Sequence, residues 1–385
     1  MLKRIYIDNY KGFVDFTYEP AKLELLLGEN GSGKTTLFEV LGLLRDMIVE
    51  GKDVVQAFPK STRTRWQSEE IQTIEIDVEA DGGYFHYILQ ISNPETKKSA
   101  IIQEQLYFYE GEFLPRPFDS NKMEVKELFS IKESKGILSL NDFFEAAFVK
   151  SSNKLLIDPK RSGLNFIEQL DGYAHVKTFT AWMRNTYLVR INPAAILDYN
   201  NDEVTHPAVD MASYVSWYHH IVLENPNLIM DATDKIRQVI DGFKGISLEQ
   251  AGDRRVLKVV TDNSCKFNLS EMSDGQRILI VLYTLLSVMQ DKPGLLCIDE
   301  PDNYVALREI QPWLQEIEML TEDGKAQVLI ISHHPEIINY LAPQEGAVHF
   351  YRSEMGPVQI SRFTVSESNE GLLPAEIIAR GWEND

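Results

Sequence analysis

Positive charge is scarce in this chain. Its 385 residues carry 38 lysines and arginines against 58 aspartates and glutamates, a formal net charge of −20. Duplex binding at cellular salt rests on lysine and arginine neutralising phosphates, so this balance argues against a surface that wraps nucleic acid. DNA stays open only at a local groove, or one shared with a second chain or a partner. The basic clusters available for it are "STRTRW" (61–66), "DPKRSG" (158–163) and "DRRVLK" (253–258), and the simpler reading of each is a solvated loop face. Cysteine is scarcer still. Cys265 and Cys297 stand far apart with no CxxC, which excludes a disulfide framework and a zinc knuckle; Cys297, inside an apolar run, is expected to be a small buried residue. No apolar run reaches the roughly 18 residues of a membrane span, and "MLKRIYIDNYKGF" has no secretory apolar core, so a cytoplasmic location is expected. Neither an internal repeat nor a sustained heptad is visible, which excludes a solenoid and an extended coiled coil.

What is present reads as α/β. "KRIYIDNY" and "KLELLL" are strand-like, and apolar residues recur at helical spacing from Leu37 to Ile48. "TIEIDVEA", "YFHYILQIS" and "SAIIQEQLYFYEGEFL" predict an antiparallel meander, the first two joined at Asp81, Gly82 and Gly83. From about 120 to 240 the spacing turns helical, in "LNDFFEAAFVKS", "TFTAWMRNTYLV" and a long segment that Asn225 and Pro226 divide into two helices. After Gly245 strands return, then a helix from about Gly275 to Gln290, then apolar strands alternating with helices. The expected organisation is a first lobe with a β-subdomain (1–118), a helical insertion (119–240) and a second lobe (241–385).

Three stretches carry chemistry. Gly28, Glu29, Asn30, Gly31, Ser32, Gly33, Lys34 and Thr35 fit the phosphate-loop pattern GxxxxGK[ST], with Thr36 following, between a strand and a helix. The glycines let backbone N–H groups curl round a β-phosphate, Lys34 reaches the β- and γ-oxygens, and the Thr35 hydroxyl ligates Mg²⁺. "LLCIDEP" (295–301) is an apolar strand ending in two acids, where open α/β sheets bind ligands. Asp299 suits a Mg²⁺ acid and Glu300 the base that orients an attacking water; a helix N-cap pair before Pro301 is the structural alternative. Between them, "LSEMSDGQRILIVLYTLLSVM" places Ser273, Asp274 and Gly275 at a helix start, which is an anion site without a lysine and, taken alone, an ordinary N-capped helix. Finally "LIISHHPEII" is an apolar strand ending at Ser332, His333 and His334, so its histidines sit at a strand tip.

In this order the motifs resemble the heads of ABC-type ATPases, in the RecF/SMC-like branch with the bacterial AAA-family and OLD-like ATPases. The resemblance covers about 1–45 and 205–345. It implies a two-lobed P-loop NTPase with an antiparallel β-subdomain and a helical insertion, binding ATP and Mg²⁺. The phosphate loop becomes Walker A and Asp299 and Glu300 Walker B. Ser273, Gly275 and Gln276 become the signature that covers the γ-phosphate held by a second copy. His333 becomes the switch histidine, with His334 as runner-up. A homodimer or higher homo-oligomer closing around ATP follows from that resemblance, because the chain holds one head only. Asn303 is followed by "YVALREI" where the family often has histidine and proline, and Gln103 and Gln105 are the candidates for the Q-loop glutamine. No long coiled coil fits, and about 50 residues follow His333, too few for a TOPRIM nuclease. The implied role is an ATPase subunit that controls a separate nuclease or toxin-like effector in prokaryotic antiphage defence. The alternative is a RecF-like repair ATPase acting as an ATP-dependent DNA clamp.

Overall fold

A computed structural model describes residues 1–113, 125–132, 138–140, 158–170, 172–200, 202–344, 346–354, 356–364 and 371–381. These residues form two compact units. One comprises Met1–Ala21, Gly28–Thr186 and His349–Ser361; the other comprises Lys22–Leu27, Tyr187–Val348 and Arg362–Asp385. This division crosses the expected boundaries at 118 and 240. The reason is strand pairing: Leu23–Leu27 pairs in parallel with Ala326–Ile331, and that pairing assigns an N-terminal strand to the later unit.

The first unit is built on a seven-stranded antiparallel sheet. Its spatial order is Phe16–Tyr18, Leu2–Asp8, Ile71–Ala80, Gly83–Ser92, Ala100–Tyr109, Lys126–Lys132 and Leu138–Leu140. Alternation drives it: Ile74, Ile76 and Val78 are buried on one strand, and Phe85, Tyr87, Leu89 and Ile91 on the next. The expected meander is there, with Ala80 opposite Gly83 across a two-residue turn. Asp81 and Gly82 both take positive φ, 52° and 74°, the geometry whose twist matches the flanking strands. Two more strands, Lys126–Lys132 and Leu138–Leu140, extend the sheet into the segment expected to be helical. "LNDFFEAAFVKS" lies almost wholly outside the described residues. The buried Glu104 carboxylate fastens a helix to this sheet, accepting from Tyr87 Oη at 2.9 Å, Ser162 Oγ at 2.5 Å and Gly163 N at 2.8 Å. The 15-residue helix Lys34–Ile48 buries Leu37, Leu41, Leu44 and Ile48 and packs against Ala174–Arg184.

The second unit holds a parallel core. Gly294–Asp299, Ala326–Ile331 and Leu23–Leu27 lie side by side, and every residue of the first two is buried. Parallel strands covered on both faces are apolar in their interiors, which explains "LLCI" and "VLII". Glu24 breaks that rule inside Leu23–Leu27, and Arg362 pairs with it. The helix Leu307–Glu322 makes the crossover between the first two strands. Thr186–Val189, expected to continue a helix, is a buried strand instead, because a run of β-branched and large apolar residues suits a covered sheet edge. Asn225 and Pro226 do divide the helices Tyr214–Glu224 and Pro226–Val239, with Asn225 Oδ1 accepting from Asn227 N. The helix Asp274–Asp291 is buried continuously from Ile278 to Met289 and forms the middle of the core with Trp217 and Trp313. A smaller antiparallel sheet pairs Arg254–Thr261 with Phe243–Ala251, Tyr199–Asn200 and Lys266–Asn268. No helix among the described residues is long and apolar enough to cross a membrane.

Cys297 is fully buried in its strand, where desolvation pushes its thiol well above the ordinary value, whereas Cys265 is exposed. A thiol-reactive dye should therefore label Cys265 alone in the native protein and both cysteines in denaturant. Rapid labelling of Cys297 without denaturant would contradict this packing.

Candidate functional site

The phosphate loop leaves the strand Leu23–Leu27 at the edge where apolar side chains give out. Gly28, Gly31 and Gly33 take φ of 133°, 82° and 112°, a region that side chains with a Cβ rarely occupy. Gly28 is doubly constrained, because a Cβ there would lie 2.1 Å from the Phe350 carbonyl oxygen. At Gly33 it would meet Val358 Cγ2 at 2.9 Å, while at Gly31 it would meet nothing within 4 Å. Gly33 is the N-cap of Lys34–Ile48, with no side-chain cap and no acidic residue in the first turn. A helix start of that kind presents N–H groups and a positive dipole end. Lys34 is only 6% exposed and donates to the Gly28 and Glu29 carbonyls at 2.6 and 3.0 Å and to Ser32 Oγ at 3.4 Å. Its ammonium thus lies over the loop's own backbone. This cradle suits a phosphate chain: glycine backbone where a Cβ would intrude, an uncapped helix start and a lysine.

The acids stand in the second unit. Register places Asp299 opposite Ile331, and Ile331 opposite Leu26, so three parallel strands end level with one another. Asp299 is buried at the strand end, and the Glu300 N–H donates to Ile331 O at 2.8 Å. Glu300 has a φ of +53°, a left-handed conformation that is costly for a long side chain and that turns its carboxylate out of the strand line. The Asn303 amide donates to Glu300 Oε2 at 2.8 Å, and Arg190 lies 3.8 Å from the same oxygen. Ser332 Oγ donates to Asp302 Oδ1 at 2.7 Å, tying the acid turn to the histidine turn. The two histidines then separate. His334 caps the following helix, its Nδ1 accepting from Glu336 N at 3.2 Å, while His333 is exposed and its ring bonds to none of the described residues.

Ser273 begins its helix through a reciprocal capping box. Ser273 Oγ accepts from Gln276 N at 3.3 Å and Gln276 Oε1 accepts from Ser273 N at 3.1 Å. The structural reading of this turn is therefore real, and it leaves Ser273 exposed. Gly275 is needed for a different reason: a Cβ there would sit 2.6 Å from the Tyr304 carbonyl oxygen. Tyr304, 71% exposed with φ +68°, follows the acids, so the signature turn and the acid turn touch through backbone. Gln103 and Gln105 are not loop residues. Both lie within Ala100–Tyr109, Gln103 donating to Gln105, and Gln105 to Tyr107 Oη at 2.8 Å and Ser130 Oγ at 3.2 Å, so the sheet holds them and neither stands in a loop. Asp302 and Arg190 were not singled out from the sequence; only the pairing of strand ends reveals them.

A family model described as "AAA domain, putative AbiEii toxin, Type IV TA system" matches residues 25–339. The chain belongs to this AAA-domain family. The match takes in both the phosphate loop and the acid strand of this AAA-type ATPase. Among solved structures, an SMC head bound to the C-terminal winged-helix domain of ScpA aligns with a TM-score of 0.51 at 10% identity, covering 94% of this chain and 98% of the other. An SMC head domain from Thermotoga maritima aligns at 0.44 and 13% identity, covering 94% and 99%. The first likeness gives the AAA-family ATPase the fold of an SMC/RecF-like ABC ATPase head, a P-loop α/β fold. No curated protein matches the chain by sequence.

The glycine geometry predicts an order of effects. Gly31→Ala should cost about 1–2 kcal/mol of stability, the penalty of a left-handed Cβ alone. Gly28→Ala carries that cost and a backbone collision, so chemical denaturation should show the larger loss and fluorescent-nucleotide titration the larger drop in affinity. Equal effects would contradict the close approach to Phe350.

Proposed function

We propose that the chain is a Mg²⁺-dependent ATPase that closes as a homodimer around ATP and thereby controls a separate nuclease or toxin-like effector in prokaryotic antiphage defence. The observation that carries the nucleotide reading is the uncapped helix start behind three left-handed glycines. The family description names a putative toxin of a type IV toxin–antitoxin system, which supports a place in a defence system of that kind.

Residue roles follow from chemistry. Gly28, Glu29, Asn30, Gly31, Ser32 and Gly33 offer backbone around the β-phosphate, and Lys34 exchanges the Gly28 and Glu29 carbonyls for phosphate oxygens. Thr36 closes the first helical turn beside them. The Thr35 hydroxyl and the Asp299 carboxylate would be the groups to hold Mg²⁺, which would supply charge neutralisation to the bound phosphates. Two protein oxygens suit a cation that keeps most of its waters. Glu300, steadied by the Asn303 amide, orients and deprotonates the attacking water. His333, whose ring is uncommitted, is the group available to sense the γ-phosphate. Ser273, Gly275 and Gln276 offer an exposed, already capped helix start to the γ-phosphate of a second copy. Closure then differs from the open state by those contacts, which is how ATP biases an effector.

Lys34→Ala should lose nucleotide binding. Glu300→Gln should bind ATP, hydrolyse it about 10²-fold or more slowly, and accumulate as a dimer in light scattering, since water activation is lost while the phosphate contacts remain. Ser273→Arg should bind ATP as a monomer and fail to dimerise. Wild-type turnover by Ser273→Arg would overturn the composite site. For the biological role, affinity capture from the native host should recover an effector; tight, ATP-dependent DNA binding by the lone protein, with no partner recovered, would favour the RecF-like clamp.

A further inference from the structure

Asp299, Glu300 and Asp302 place three carboxylates within four residues at the end of the acid strand, in a chain whose formal net charge is already −20. Ser332 engages Asp302. Glu300 faces a cation instead: Arg190 Nη2 lies 3.8 Å from Glu300 Oε2, and both residues belong to the second unit. The strand Thr186–Val189 lies beside Gly294–Asp299 in the sheet, and Arg190 and Glu300 are the first residues past the ends of the two.

The segment that carries the arginine is held by its backbone. Arg190 N donates to Val209 O at 2.7 Å, Asn192 N to Asp210 O at 3.1 Å, and Arg277 Nη1 to Pro193 O at 2.5 Å. The arginine side chain, by contrast, is 61% exposed and makes no other ion pair among the described residues. Glu300 for its part uses its two oxygens unequally. Oε2 accepts from the Asn303 amide at 2.8 Å and faces the guanidinium, whereas Oε1 has no partner among the described residues. The last torsion of a glutamate is broad, so one hydrogen bond leaves the carboxylate plane free to swing. A second, charged contact on the same oxygen decides which oxygen points outward. An exposed ion pair of this kind adds little to folding stability, so its consequence here is orientation.

We propose that Arg190 is a positioning residue for hydrolysis: with Asn303 it holds Glu300 Oε2 and thereby aims Oε1 at the attacking water. This rests on the ATPase reading above. In the step concerned the water oxygen bonds to the γ-phosphorus, its proton passes to Glu300 Oε1, and the bond from the γ-phosphorus to the bridging oxygen breaks, releasing ADP. Arg190 acts on this step through the carboxylate, so it governs turnover and not nucleotide affinity. Lysine at this position would keep the charge and lose the planar fork.

The test is steady-state ATP hydrolysis by the full chain carrying Arg190→Ala, Arg190→Lys, Glu300→Gln, or Arg190→Ala with Glu300→Gln. Arg190→Ala should lower kcat about tenfold, the order of one charge-assisted contact, while KM and the melting temperature stay as in the wild type. Arg190→Lys should recover part of that loss, and millimolar guanidinium should speed Arg190→Ala but not the wild type. The double variant should be no slower than Glu300→Gln alone, because both changes act through one carboxylate. If Arg190→Ala turns over at the wild-type rate while Glu300→Gln is slow, the arginine is a solvated surface charge, and the inference fails with the ATPase reading intact. Fully additive losses in the double variant overturn it as well. Normal hydrolysis by Glu300→Gln would remove the base assignment itself, and this inference with it.

Discussion

Four parallel pairs, Leu23 to Leu26 against Val328 to Ile331, join segments about 300 residues apart, and the placement of the chain's polar ends depends on them. Because Ala326–Ile331 also pairs with Gly294–Asp299, three strands covered on both faces share one direction. Burial on both faces excludes charge from their interiors, so acids and histidines are displaced to the ends. Glu24 shows the cost of the exception, since it is retained only with Arg362 beside it. The pairing also explains why the compact units do not follow the chain order: hydrogen bonds between distant strands outweigh proximity along the sequence.

At the strand ends, backbone conformation takes over from burial. Glu300 and Tyr304 both occupy left-handed φ, and each is held by neighbours: the Glu300 N–H by Ile331 and the Tyr304 carbonyl by its approach to Gly275. Strain of this order persists only where the surroundings over-determine it. Here the surroundings are a buried sheet on one side and, on the other, a helix buried from Ile278 to Met289 that leaves its N-terminus little freedom to shift. Ser273 is therefore presented by one of the most firmly packed elements of the unit. The surface proposed to meet the phosphate of another copy would gain from that rigidity, because little ordering entropy would remain to be lost on association.

The same unit treats its polar atoms unevenly. Ser273, Gln276, Asp302 and Ser332 have found partners within the chain, whereas the buried Asn200 Oδ1 and His219 Nε2 have none among the described residues. "DRRVLK" reads from composition as a solvated basic face, and Asp253, Arg254 and Arg255 are exposed, Arg254 lying over the Tyr199 ring at 4.3 Å.

By itself the sequence determined the features set by local chemistry and by hydrophobic period. The phosphate loop, the Asp81–Gly82 turn, the break at Asn225–Pro226, the capping of Asp274–Asp291 and the apolar strands around Cys297 were all legible, because each depends on residues within a few positions of one another. The ordered succession of four motifs was enough for the resemblance to an ATPase head. Tertiary structure decided what depends on distant neighbours. It made Thr186–Val189 a strand, carried the antiparallel sheet on to Leu138–Leu140, fixed Gln103 and Gln105 within a sheet and set His334 apart as a helix cap from His333. It also brought Arg190 to Glu300 and Asp302 to Ser332. Strand partners come from opposite parts of the chain, and no local pattern encodes which of many apolar segments will pair.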